Sequence, residues 1–211
     1  MTAPRRTQEE RREATREAIS LAAMSLVAER GVDAATLLDV AERAGLSKGA
    51  LTHHFDGKEA LLDAALDRAA SQVERALTAA WDPTEPPFPR LRKALSALVT
   101  LGHERPTELR ALLVLSTQGT WDARLGPLVR ARVEALERVF CEGFTLTLAE
   151  LHAHPRVEPE VLCRALVAST LGAALRPDGA TPPPPGELHA TRRFWESAIV
   201  AAIDPFMVEA P

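Results

Sequence analysis

The stretch Thr36–Phe55, TLLDVAERAGLSKGALTHHF, decides how this chain is read. Thr36 opens a short helix: its hydroxyl can cap free backbone N–H groups, and Asp39 stands three residues on, at the capping-box spacing. Val40, Ala41 and Ala44 share the inward face of that helix. Gly45 comes next, where a tight turn needs positive φ. Leu46 is the apolar residue expected to be buried just after it. Ser47 is an N-cap for a further helix running to about Phe55. Two short helices joined by a glycine turn read as a helix-turn-helix. In such a unit the second helix enters the DNA major groove with its N-terminal residues at the base edges, and the first braces it across the backbone.

Upstream, residues 8–30 carry one helical stripe: Ile19, Ala22, Ala23, Leu26 and Val27 recur at i, i+3, i+4, i+7 and i+8. Gly31 ends it. Arg5, Arg6, Arg11, Arg12 and Arg16 alternate with Glu9, Glu10, Glu13 and Glu17, so the N-terminal arm reads as a solvated helix start, not a polybasic tail. Downstream, Asp56 and Glu59 repeat the capping spacing before a helix bearing Leu61, Leu62, Ala65, Leu66, Ala69, Val73 and Leu77. Four prolines in 82–89, DPTEPPFP, mark a break that excludes helix. Further helices are expected near 89–103, 106–118, 122–152, 158–175 and 188–207, with Pro127 kinking or splitting the third of these. The segment 176–187, RPDGATPPPPGE, reads as a stiff loop.

The whole chain agrees with an all-α protein. Its 211 residues are 46% hydrophobic but only 4% aromatic, with no Tyr, and good helix formers dominate. A formal net charge of -4 gives no general support to nucleic-acid binding, so that reading rests on where the cations stand. No apolar run approaches the roughly 20 residues of a membrane span. The charged N-terminus lacks a signal-peptide core, so a soluble, reducing, cytoplasmic setting is the expectation. Cys141 and Cys163 lie in apolar helical patterns, which predicts buried free thiols. No phosphate loop, zinc-hydrolase spacing, nucleophile elbow or dinucleotide fingerprint is present, so no enzyme and no cofactor are expected. His152 and His154, near Cys141, make only an H-x-H at a helix end, and no metal site is assigned.

The pattern Ala22, Gly31, Thr36, Val40-Ala41, Ala44-Gly45-Leu46-Ser47, Gly49, Leu51, His54-Phe55, Lys58-Glu59 and Leu61 resembles the TetR family of transcriptional regulators. The likeness is strong over roughly 12–65 and architectural beyond. It implies an arm over 1–11, a helix-turn-helix DNA-binding domain over 12–72 with its motif at 36–55, and a helical ligand-binding and dimerisation domain over 73–211. Carried over by position, Lys48, Gly49, Ala50 and Thr52 match recognition-helix positions that approach bases. His53, His54 and Lys58 match positions that hold phosphates, and Thr36 matches a position that caps the brace helix and touches the backbone. Position 52 is usually Tyr in the family, so Thr52 departs from the pattern; it offers only a methyl or one hydroxyl.

The chemistry of these side chains points the same way. Ammonium and imidazole donors suit phosphate oxygens. Gly49 and Ala50 let a helix sit close to the groove floor, with Lys48 suited to guanine and Ala50 to a thymine methyl. The resemblance further implies a homodimer, built by the last two long helices with Val161, Leu162, Leu166, Leu171, Phe194, Trp195, Ile199, Ile203 and Phe206, and a small-molecule effector that releases a palindromic operator. His103, Gln118, Trp121, Arg124 and Phe144 are candidate effector contacts, being polar or bulky residues near apolar helices. The alternative is a DNA-binding regulator without a small-molecule ligand, controlled by a protein partner.

Overall fold

The computed structural model describes residues 7–152, 158–173 and Arg193. The described residues form eight helices and no strand: α1 (Gln8–Arg30), α2 (Leu37–Arg43), α3 (Lys48–Thr52), α4 (Lys58–Ala80), α5 (Pro87–Glu104), α6 (Pro106–Gly119), α7 (Leu125–Glu150) and α8 (Pro159–Ala173). The expected helix 188–207, with Phe194, Trp195, Ile199, Ile203 and Phe206, lies outside the described residues, as do the 176–187 loop and His154. The chain divides into two compact units, one from Met1–Ala69 with Arg110–Arg130, the other from Ala70–Leu109 with Ala131–Pro211.

In the first unit, hydroxyl side chains start α1, α2 and α3. Thr7 and Glu10 form a reciprocal capping box at the head of α1, with the Thr7 N–H donating to Glu10 at 2.8 Å and the Glu10 N–H donating to the Thr7 hydroxyl at 3.2 Å. The buried stripe of α1 is the expected one: Ile19, Ala22, Ala23, Leu26 and Val27 are all nearly inaccessible. It packs on α2, which packs on α3, and Val40, Ala41, Leu51, Phe55 and Leu61 close the small core. The capped turn after α2 leaves Ala44 and Leu46 only half-buried. α6 from Arg110 onward and the start of α7 complete this unit, with Leu112, Leu115 and Leu125 buried.

In the second unit, packing is dominated by leucines and a few large side chains. Phe140 and Phe144 of α7 are fully buried. Trp81 sits 5.3 Å from the Phe140 ring centroid, and Phe140 is stacked 6.2 Å from Phe144. Gly143 makes this possible: a Cβ there would stand 2.5–2.8 Å from the Trp81 ring. Arg90, 7% exposed, donates to the Thr147 hydroxyl at 3.2 Å and pairs with Glu150.

Besides Leu46, expected to be buried, and the helix from Ser47, expected to reach Phe55 but ending at Thr52, further expectations change. α5 begins at Pro87, inside the stretch expected to exclude helix, because prolines fit a first turn whose N–H groups have no helical partner. Pro127 neither kinks nor splits a helix: α7 starts at Leu125, so the proline falls in its first turn. Asp122 caps that start, accepting from the N–H groups of Arg124 and Leu125 at 2.9 Å each. Cys141 and Cys163 are not free thiols. They form a disulfide between α7 and α8, whose Cα atoms come to 5.7 Å; apolar surroundings reveal burial but not which helix faces which.

Candidate nucleic-acid interface

The motif is built by backbone geometry that its own residues dictate. Thr36 caps α2: its hydroxyl oxygen accepts from the Asp39 N–H at 3.2 Å and its hydroxyl donates to the Asp39 carboxylate. The far end closes in a Schellman arrangement. The Leu46 N–H donates to the Ala41 carbonyl at 2.9 Å and the Gly45 N–H to the Glu42 carbonyl at 3.1 Å. This puts Gly45 at φ 69°, where a side chain would be strained. Ser47 then caps α3, accepting from the Ala50 N–H at 3.1 Å. Caps and turn together set the angle between α2 and α3.

α3 buries Leu51 and turns Lys48, Gly49 and Thr52 outward, with Ala50 half-buried. An ideal Cβ on Gly49 would meet nothing within 4 Å, so in the free protein this side of α3 is open. The Thr52 hydroxyl donates to the Gly49 carbonyl at 2.9 Å. Its proton is therefore committed to the helix, leaving the methyl and the oxygen lone pairs facing out.

His53 is exposed as the residue that ends α3, while His54 is half-buried. The His54 Nδ1 is buried and finds no hydrogen-bond partner among the described residues. Lys58, first residue of α4, stands 3.8 Å from the fully exposed Asp33 carboxylate. A pair that long and that wet contributes little, so the ammonium stays available. Thr36 is exposed. All eight positions expected at DNA thus lie on α2, α3 or the α3–α4 junction.

Two supports escaped the sequence reading. Arg16, grouped there with the solvated arm, is half-buried: it donates to the His54 carbonyl at 2.9 Å, and its guanidinium carbon lies 4.7 Å from the Phe55 ring centroid. It thereby holds the end of the recognition segment against α1. Arg43 makes a bidentate pair with Glu29, at 2.6 and 2.7 Å, fixing α2 to α1. The Arg43 hydrogen bonds hold the Glu29 carboxyl below its usual range, and Glu29 raises Arg43 in return. Neither pairing has a local signal, since partners 38 and 14 residues apart meet only in the fold.

The candidate effector contacts are dispersed. Phe144 is buried in the second unit. Gln118 is exposed and Trp121 is 84% exposed, both in the first unit. Arg124 pairs with Glu59 at 3.3 Å and Asp63 at 3.1 Å on the first turns of α4. His103 lies within α5, and its side chain is outside the described residues. An open groove of about 530 Å³ runs along α5, lined among others by Glu85, Arg92, Lys93, Ser96 and Thr100, and none of Gln118, Trp121, Arg124 and Phe144 borders it. Among the described residues no helix is long and apolar enough to cross a membrane.

Known proteins share this arrangement. The model of the family described as bacterial regulatory proteins, tetR family, matches residues 19–65. Over 41 residues the chain is 51% identical to the HTH-type transcriptional repressor KstR2 of Rhodococcus jostii (strain RHA1), a match spanning 19% of this chain and only 20% of that protein. It is 28% identical over 170 residues to the HTH-type transcriptional regulator BetI of Burkholderia ambifaria (strain MC40-6), covering 78% of this chain and 82% of the other. The structure of AibR in complex with isovaleryl coenzyme A and operator DNA aligns with a TM-score of 0.65 at 19% identity, covering 90% of this chain and 98% of that one, a likeness of fold.

Proposed function

We propose that this chain, whose residues 19–65 match the tetR-family model, is a homodimeric repressor released from a palindromic operator by a small molecule. The observation that carries the DNA half of this reading is the open outer face of α3, where Lys48, Gly49 and Thr52 are exposed on a helix whose start Ser47 caps. Lys48, Gly49, Ala50 and Thr52 meet base edges; His53, His54, Lys58 and Thr36 hold phosphates. The domain division proposed is the one the family resemblance implies: arm over 1–11, DNA-binding domain over 12–72, effector and dimer domain over 73–211.

Dimerisation gives the reading its geometry, because two recognition helices about 34 Å apart match one turn of duplex. The effector half rests on fold likeness to a regulator solved with an acyl-coenzyme A and its operator. His103, Gln118, Trp121, Arg124 and Phe144 remain the candidate contacts, and an effector that used Arg124 would compete with Glu59 and Asp63. To empty the operator, an effector must favour the non-binding state by several kcal/mol, since equal affinity for both states shifts nothing.

The deciding experiment selects bound sequences from random duplex DNA, with the wild-type chain and with Lys48→Ala, across a range of salt. The expected result is a palindrome with half-sites about one turn apart whose preference relaxes in Lys48→Ala. Binding that is sensitive to salt but blind to sequence would overturn the specific-repressor reading.

A further inference from the structure

The chain has only two cysteines, and the fold brings both together. Cys141 is half-buried on α7, and Cys163 on α8 has no exposed surface. A protein that works on bacterial DNA works in the reducing compartment, where disulfides are usually transient or sensing and seldom structural. The second unit also has packing of its own at this place: Phe140 precedes Cys141, and Phe144 follows within one turn, both fully buried. The surroundings of Cys141 on α7 are therefore packed by rings as well as by the disulfide.

We propose that Cys141 and Cys163 form a reversible redox site whose state alters DNA affinity. This output rests on the DNA-binding reading above. The half-buried Cys141 is the sulfur a small oxidant reaches first. Its thiolate attacks the O–O bond of a peroxide, giving a sulfenic acid at Cys141 and releasing hydroxide. The Cys163 thiol then attacks the sulfenic sulfur, the S–S bond forms and water leaves. In sum, two thiols and one hydrogen peroxide give one disulfide and two waters, two electrons passing from sulfur to oxygen. A dithiol reductant reverses the reaction by exchange, ending as its own disulfide.

The route from this site to the recognition helix follows the chain. Cys141 lies on α7, which runs unbroken from Leu125 to Glu150. Just before that helix, Asp122 caps its start, and Arg124 is paired with Glu59 and Asp63 on α4. α4 begins at Lys58, directly after the recognition segment. Tying α8 to α7 or freeing it changes the restraint on a helix whose first residues are tied to the element after α3.

The test cycles the full-length protein between hydrogen peroxide and dithiothreitol, reading thiol state by intact mass and affinity for the selected duplex at each stage. The expected result is a reversible two-hydrogen mass change with an affinity change of at least about fivefold. Cys141→Ser should hold one affinity throughout, and Cys163→Ala should do the same. Thiols that resist peroxide, a disulfide that native-state dithiothreitol leaves intact, or equal affinity in both states would each overturn the switch. Should a variant fold poorly, the wild-type cycle still decides, because it needs no substitution. If the mass change is reversible but no duplex is bound in either state, the DNA reading fails and the switch's output falls with it, while the thiol chemistry stands measured.

Discussion

The two units start their helices by different means. In the first, hydroxyl caps at Thr7, Thr36 and Ser47 each accept a backbone N–H three residues on. In the second, α5, α6 and α8 begin on Pro87, Pro106 and Pro159. A hydroxyl cap supplies a directed hydrogen bond and so fixes how the chain enters the helix; proline only presets φ. The starts of α1, α2 and α3 are thus specified locally, residue by residue. The second unit is specified by which large side chains meet, as when Trp81 reaches Phe140 over Gly143, or Arg90 reaches Thr147 from 57 residues away. A local specification can be read in a line of sequence, whereas an assembly of distant partners cannot.

The sharpest way to break this contrast is Phe144→Ala. If the second unit depends on volume, removing a fully buried ring should destabilise it by about 3–5 kcal/mol in denaturant unfolding. A cost below about 1 kcal/mol would mean the unit does not depend on that packing. Gly49→Leu probes the opposite property. With nothing within 4 Å of its Cβ position, the substitution should leave the melting temperature unchanged or slightly raised, since glycine is a poor helix residue. Affinity for the selected duplex should nevertheless fall about tenfold or more, some 1.4 kcal/mol. Retained affinity would move the groove contact off this face of α3.

The smallest effect is at Asp122. Hydrogen bonds from the Leu125 N–H, then from the Arg124 N–H, hold its carboxyl below the ordinary value. A folded-state pKa that is depressed adds stability that is full above the ordinary carboxylate value, about 4, and that is lost as pH falls through the folded value. Asp122→Asn should therefore lower the melting temperature slightly at neutral pH and flatten the acid side of the profile, the variant and the wild type converging at low pH. An unchanged acid slope would remove Asp122 from the account of how α7 starts.

What the sequence reveals follows the same division. Thr36, Asp39, Gly45 and Ser47 announce α2, the turn and α3 because each acts within five residues of itself. The stripe of α1 was legible from periodicity alone. Pro127 misled because a proline has two meanings, break or first turn, and the choice depends on Asp122 capping three residues before Leu125. Arg16 looked like one more arm charge, since its partners His54 and Phe55 are unrelated to it by spacing. The cysteine pairing was hidden for the same reason, each thiol showing an apolar setting but not its opposite helix.

α3 has five residues and is about 7.5 Å long, far below the 12–15 residues at which an isolated helix begins to persist in water. Its order is borrowed from Ser47, Leu51 and the clasp of Arg16 behind it, and of the outward positions only Thr52 adds to it, through one hydroxyl bond to the Gly49 carbonyl. Lys48, Gly49 and Thr52 are therefore free to change under selection without passing through an unfolded ancestor. On the proposed reading, the head can drift to a new operator while the scaffold stays fixed, whereas a peptide cut from 36–55 would carry the letters of the code without the rigidity to spell them.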